Sequence, residues 1–124
     1  MTSSTDSPVQ VIVVDDQAPF RAAARRVVAA TAGFELAAEA SSGEEAIALV
    51  AAIRPDLVLI DVHMPGMSGI ELARRIAAGT RAILVSSSKA EELPKEAMSS
   101  GAAGYIKKDD FGPHALRAAW AGAR

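Results

Sequence analysis

The sequence predicts a doubly wound α/β domain whose five parallel strands run in the order 2-1-3-4-5. Three observations carry that expectation. Short strand-like runs, the first of them β-branched, alternate with segments of helical period five times along the chain. The connections between them are short, as in βαβ units with right-handed crossovers. The first and third runs both end on carboxylates, VIVVDD at residues 11–16 and LVLID at residues 57–61. In such sheets ligands bind beyond the carboxyl ends of the strands, where strands one and three part company.

Residues 1–8, MTSSTDSP, have neither a basic start nor an apolar core and are expected to be a flexible lead-in to a single domain over residues 9–122. Residues 9–14 (VQVIVV) make the first strand. A helix over residues 17–31 follows, with Phe20, Ala23, Ala24, Val27 and Thr31 at the spacing of one face. Asp16 is a candidate cap for it, Pro19 suits its first turn, and Gly33 stops it. The less apolar residues 34–40 read as a second strand near an edge. Residues 42–53 form a second helix, with Ala46, Leu49, Val50 and Ile53 inward, and Pro55 prevents its continuation.

Residues 57–61 are the third strand and residues 69–78 the third helix, with Ile70, Ala73, Ile76 and Ala77 on one side and Arg74 and Arg75 in water. Residues 81–85 and 103–106 supply the fourth and fifth strands. The fourth helix is predicted to be short. Pro94 inside it would cost about 3 kcal/mol, so it starts near Leu93, after an extended loop over residues 86–92, and ends before Gly101. Residues 113–121 form the last helix, with Pro113 at its first position and Leu116, Ala119 and Trp120 available for packing.

Composition narrows the function. The chain of 124 residues suits one domain and has no cysteine, which excludes disulfides and thiolate metal sites. A net charge of −2 without a basic cluster argues against direct nucleic acid binding. No apolar run is long enough to span a membrane, so a soluble cytoplasmic domain is expected.

Asp15, Asp16 and Asp61 end the two strands at the switch point, Ser86 follows strand four and Lys108 follows strand five. Three acids at one spot repel and stay ionised together only with a cation among them. Oxygen donors without Cys, and without His at ligand spacing, favour Mg²⁺ before Ca²⁺. Lys108 adds a fixed positive charge and Ser86 a hydroxyl, equipment for handling a phosphoryl group. Each residue also has a plainer use. Asp15 and Asp16 suit a turn and a cap, Ser86 a local backbone bond, and Lys108, beside Lys107, a solvated surface. His63 is a lone loop histidine, and His114 has no evident partner. After Asp61, Pro65, Gly66 and Gly69 suggest a loop that leaves room for an incoming group.

From Val9 to Trp120 the chain resembles the CheY-like receiver domain of bacterial two-component response regulators. The motifs VIVVDD, LVLIDVHMPGMSG, LVSS and GAAGYIKKD, in that order, carry the resemblance. It implies a flavodoxin-like (βα)5 fold and assigns a role to each position. Asp61 looks like the phosphoacceptor, charged from the phosphohistidine of a sensor kinase or phosphotransfer protein. Asp16 looks like a direct Mg²⁺ ligand, Asp15 an acid acting through water, and His63 the source of a main-chain carbonyl ligand. Lys108 matches the lysine that pairs with phosphoryl oxygens, Ser86 the switch hydroxyl, Tyr105 the switch aromatic, and Ser87 a residue at the rim. An output partner would read the fourth helix, fifth strand and fifth helix, and Ala on the first and last helices permits a homodimer.

Asp109 stands where many receivers have Pro in a cis peptide, and a trans bond is expected there because cis without Pro costs about 3–4 kcal/mol. The GYIKKD context is similar to receivers that precede a LuxR-type helix-turn-helix. No such module lies within residues 1–124, which fits both a stand-alone receiver and one cut from a longer regulator. Two other readings use the same residues. One is a pseudo-receiver that keeps the fold as an interaction module. The other is a Mg²⁺-dependent phosphatase with an aspartyl nucleophile, which lacks its second acid here because Val62 and His63 follow Asp61.

Overall fold

Strand β1, Val9–Val14, lies between β2, Phe34–Ala40, and β3, Leu57–Asp61, in a computed structural model that describes residues 7–76, 79–88, 93–97 and 99–122. Strands β4, Arg81–Ser86, and β5, Gly104–Lys107, complete a parallel sheet in the order β2-β1-β3-β4-β5. The predicted winding is the observed one. Parts of the predicted lead-in, the extended loop and the third helix (residues 1–6, 89–92, 77 and 78) lie outside the described residues.

The sheet is buried on both faces, so alternate residues of each strand enter different cores. Val11, Val13, Leu57, Leu59, Ile83, Val85 and Ile106 face helix α1, Ala18–Ala30, and helix α4, Pro113–Gly122. Ile12, Val14, Val58, Ile60, Ala82 and Leu84 face α2, Gly43–Ile53, and α3, Gly69–Ile76. Continuing the alternation past the strand ends assigns Asp15, Asp61 and Lys108 to the α1/α4 face. Ser86 and Tyr105 fall on the opposite one. At the far end of the sheet, Trp120 of α4 meets the Phe34 ring edge-on at 6.4 Å, and the Arg81 guanidinium lies 4.5 Å over it.

The helices depart from expectation in four places. α1 begins at Ala18 with Gln17 as its N-cap, and Asp16 does not cap it. The adjacent carboxylate takes the local N–H, since Gln17 N donates to Asp15 Oδ1 at 2.8 Å. The buried stripe of α1 is Ala24, Val28 and Thr31, one step round from the predicted face, with Phe20 and Val27 half-buried. Ile53, expected inward, is 37 % exposed at the last position of α2, where Arg54 turns left-handed (φ 54°) and ends the helix.

The predicted fourth helix is a single 3-10 turn, Lys95–Ala97, among the described residues. Its bonds close over three residues: Ala97 N to Pro94 O, Ser99 N to Glu96 O, and Ser100 N to Ala97 O. Pro94 supplies no N–H, and Gly101 at φ 91° reverses the chain, which leaves too short a span for α-helical bonds to propagate. The peptide after Lys108 is trans, as expected, and Lys108–Asp110 forms another 3-10 turn.

Ser42 caps α2 by accepting from Glu45 N at 3.2 Å, while the Glu45 carboxylate reaches back to Ser41 N at 2.8 Å. Ser42→Ala is expected to cost about 1 kcal/mol. Urea denaturation should show a lower midpoint with an unchanged slope.

Candidate functional site

The strand register builds the site. Val14 pairs with Ile60 and Asp61 with Val85, so Asp15 and Asp61 leave neighbouring strands side by side at the carboxyl edge. Ser86 pairs with Lys107, which delivers Lys108 to the same edge one residue later. Asp15, Asp16 and Asp61 each offer an oxygen, and the three oxygens lie within 4.8 Å of one another. Asp15 is fully buried and Asp61 nearly so, at 5 % exposure, whereas Asp16 is exposed.

Lys108 Nζ stands 2.7 Å from Asp15 Oδ2 and 3.7 Å from Asp61 Oδ1. The approach to Asp15 is close but off-axis, so Oδ2 gains the positive charge and no aligned hydrogen bond. Asp61 Oδ1 also accepts the His63 main-chain N–H at 3.3 Å. Burial pushes the Asp61 carboxyl above its ordinary pKa, and the neighbouring Asp15 charge pushes it the same way. Lys108 and the His63 N–H oppose them. One lysine for three acids leaves the trio short of positive charge. A buried carboxylate oxygen without an aligned donor, beside an exposed carboxylate, is a donor set that suits a hard divalent cation.

Ser86 is buried, and its Oγ accepts the Ser88 N–H at 3.0 Å. The Tyr105 hydroxyl donates to Ser88 O and lies 3.4 Å from Ser86 O. Tyr105 is thus tied to the loop after β4, on the sheet face away from the acids. Ser87 is exposed, and His63 has an exposed side chain with its main chain against Asp61.

Three residues that the sequence did not assign to the site, Gln17, Phe20 and Arg21, also shape it, and Gly69 does so by close packing where room for an incoming group was expected. Gln17 holds Asp15 Oδ1 through its N–H, and Arg21 Nη1 donates to Asp15 O at 2.7 Å. The Phe20 ring centroid lies 4.6 Å from Lys108 Nζ. Gly69 brings α3 against the main chain of Asp61, where a Cβ would stand 2.0 Å from the Asp61 carbonyl oxygen. A helix-period reading signalled only that Phe20 and Arg21 begin α1. Their contacts with strands one and five are tertiary.

The response regulator receiver domain family matches residues 11–121. The response regulator UvrY of Escherichia coli is 38% identical over 103 residues, 81% of this chain and 47% of that protein. The signal receiver domain of NarL from Mycobacterium tuberculosis superposes with a TM-score of 0.85 at 31% identity, covering 94% of this chain and 97% of the other. A CheX–CheY–BeF3–Mg²⁺ complex from Borrelia burgdorferi gives a TM-score of 0.83 at 26% identity, over 97% and 92% of the two chains. The chain spans from 31% to about half of the length of the curated relatives it is similar to. Falling on a sheet edge whose own chemistry already suits phosphoryl transfer, these matches show that the protein belongs to the receiver domain family of two-component response regulators.

Proposed function

We propose that the protein takes a phosphoryl group onto Asp61 from the phosphohistidine of a sensor kinase or phosphotransfer protein and signals the change to an output partner. The observation that carries this reading is Lys108 Nζ, held 2.7 Å from Asp15 and 3.7 Å from Asp61 at the open edge of the sheet. In the transfer, an Asp61 carboxylate oxygen bonds to phosphorus as the phosphorus–nitrogen bond breaks, and the electron pair returns to the donor imidazole. Lys108 exchanges carboxylate for phosphoryl oxygens, gaining a partner that carries roughly −1.5 to −2 charge. Asp16, Asp61 and the His63 carbonyl would hold Mg²⁺ directly and Asp15 through water. When bound, the ion neutralises charge on the transferring oxygens.

Ser86 and Tyr105 form the switch in this reading, supported by the Tyr105 hydroxyl bonds to the loop that begins at Ser86. When the Ser86 hydroxyl turns to the phosphoryl group it gives up the Ser88 N–H, which loosens that loop. A nearly complete shift needs about 5.5 kcal/mol, more than one hydrogen bond supplies, so Lys108 and the cation share the work.

The output partner would read the face of β5 and α4. This reading is supported by an open groove of about 570 Å³ there, lined by Tyr105, Lys107, Asp110, Ala115 and Ala119 among others. A second copy of the chain is one candidate occupant. The protein catalyses only its own phosphoryl gain and loss, and a cytoplasmic location goes with this reading. No helix among the described residues is long and apolar enough to cross a membrane.

Incubation with a small phosphodonor and Mg²⁺ should add an alkali-labile phosphoryl mass that Asp61→Asn abolishes. Catalytic turnover of phosphomonoesters would point instead to the phosphatase, and no modification at all to a pseudo-receiver.

A further inference from the structure

We propose that Phe20 is a positioning residue for phosphoryl transfer, its ring face confining the Lys108 ammonium to the side of the pocket where Asp15 and Asp61 lie. The inference rests on the reading of Asp61 as phosphoacceptor. Lys108 Nζ is 4.6 Å from the Phe20 ring centroid, with the two carboxylates 2.7 Å and 3.7 Å away. The lysine side chain is only 12% exposed. Its ammonium is therefore enclosed by two anions and one aromatic face, and the ring takes the place of a hydration site.

The ring is itself braced. Phe20 sits in the first turn of α1 and meets the Phe111 ring at 5.5 Å, with the planes inclined by 51°. Phe111 follows the 3-10 turn that carries Lys108, and its N–H donates to Lys108 O at 3.2 Å. Arg21, next in α1, donates to Asp15 O at 2.7 Å. One helical turn thus holds the main chain of Asp15 and faces the charge of Lys108.

A free lysine stem has several rotatable bonds and a strongly hydrated head, so an unconfined ammonium must lose both freedom and water to meet a phosphoryl oxygen. The Phe20 face removes part of that cost beforehand. Its quadrupole attracts the ammonium whether carboxylate or phosphoryl oxygen lies opposite, so the ring does not hold Lys108 back when the partner changes. An aliphatic side chain of similar size fills the space without that attraction.

The test combines a spectroscopic readout with rates. In the unphosphorylated, Mg²⁺-free protein, the Lys108 ε-methylene protons should show an upfield ring-current shift that Phe20→Leu removes and Phe20→Tyr keeps. With a small phosphodonor and saturating Mg²⁺, Phe20→Leu should slow phosphorylation by about three- to thirtyfold, the range of a partly desolvated cation–π contact. Phe20→Tyr should restore the rate. In a Lys108→Ala background, Phe20→Leu should change nothing further. Equal rates for wild type and Phe20→Leu, or equal slowing with and without Lys108, overturn the inference while leaving Asp61 as acceptor. Absence of the ring-current shift overturns it as well. A wild type that takes no phosphoryl group overturns both the inference and the reading beneath it.

Discussion

Gly69→Ala is expected to lower the unfolding free energy by about 3 kcal/mol or more, at the upper end of what overpacking costs. The added Cβ would lie 2.0 Å from the Asp61 carbonyl oxygen, 2.8 Å from the Asp61 carbonyl carbon and 2.9 Å from Ile60 Cγ2. Neither side can yield cheaply. Gly69 N donates to Val62 O at 3.0 Å, and Val62 N in turn donates to Val85 O at 3.0 Å, so the start of α3 is tied through β3 to β4. Relief of the clash has to move the residue that carries the proposed acceptor, and phosphorylation should slow along with the loss of stability.

Gly66→Ala is the control. Gly66, unlike Gly69, has a left-handed backbone, φ 73°, but a Cβ there meets nothing within 4 Å. Its cost should be only the left-handed strain of about 1–2 kcal/mol, and the rate should hold. Urea midpoints for the two variants decide the matter. If Gly69→Ala is as stable as Gly66→Ala, the close approach of α3 to Asp61 is wrong.

Asp61→Asn is expected to stabilise the protein at neutral pH when a chelator removes divalent cations. Two unit charges 4.8 Å apart, the outer limit for these oxygens, repel by about 3.5 kcal/mol at an effective dielectric of 20. Asp16 adds a similar repulsion, weakened by its exposure, and Lys108 at 3.7 Å offsets about 4.5 kcal/mol of the two together, leaving a gain of about 1–2 kcal/mol from removing one charge. The pH dependence follows from the raised pKa of Asp61, caused first by burial and next by Asp15. The native carboxyl holds its proton more tightly than the unfolded one. Stability of the wild type therefore falls as pH rises from the ordinary carboxylate value of about 3.9 to the raised native value, and stays lower above it. The variant lacks that loss, so the two proteins should converge in acid and separate on the way to neutrality.

Mg²⁺ should close the gap by stabilising the wild type alone. Thermal unfolding across pH, with and without the ion, measures all of this. A variant less stable than wild type in chelator would mean that attraction to Lys108 outweighs both burial and the Asp15 charge.

Much of this architecture is legible along the chain, because strand and helix periods are local properties of the residues. β1, β2 and β3 have the bounds that their strand-like runs and flanking breakers predict, and Pro113 opens the last helix where its missing N–H is harmless. The acidic trio was equally legible, since alternating parallel strands leave few places for the ends of strands one and three to go. Ile53 and the fourth helix were not. The sequence shows Ile53 as one more apolar residue in step, while the structure places it at the last position of α2, exposed, where Arg54 turns left-handed. Residues 93–101 contain helix formers, but Pro94 and the reversal at Gly101 decide in favour of 3-10 bonds.

The chain by itself determined the winding of the sheet, the identity of the acids and the residues that follow its strands, all consequences of period and punctuation. Only the tertiary structure decided how the charges are shared. It laid Lys108 between Asp15 and Asp61 and against Phe20, tied the Tyr105 hydroxyl to the loop after β4, and assigned Gly69 to the seating of α3 on Asp61 in place of the room for a ligand that its loop suggested. The reason is physical: a two-residue repeat tells which way a side chain points, whereas the distance between two charges depends on how separate strands register and on what the packed helices leave open.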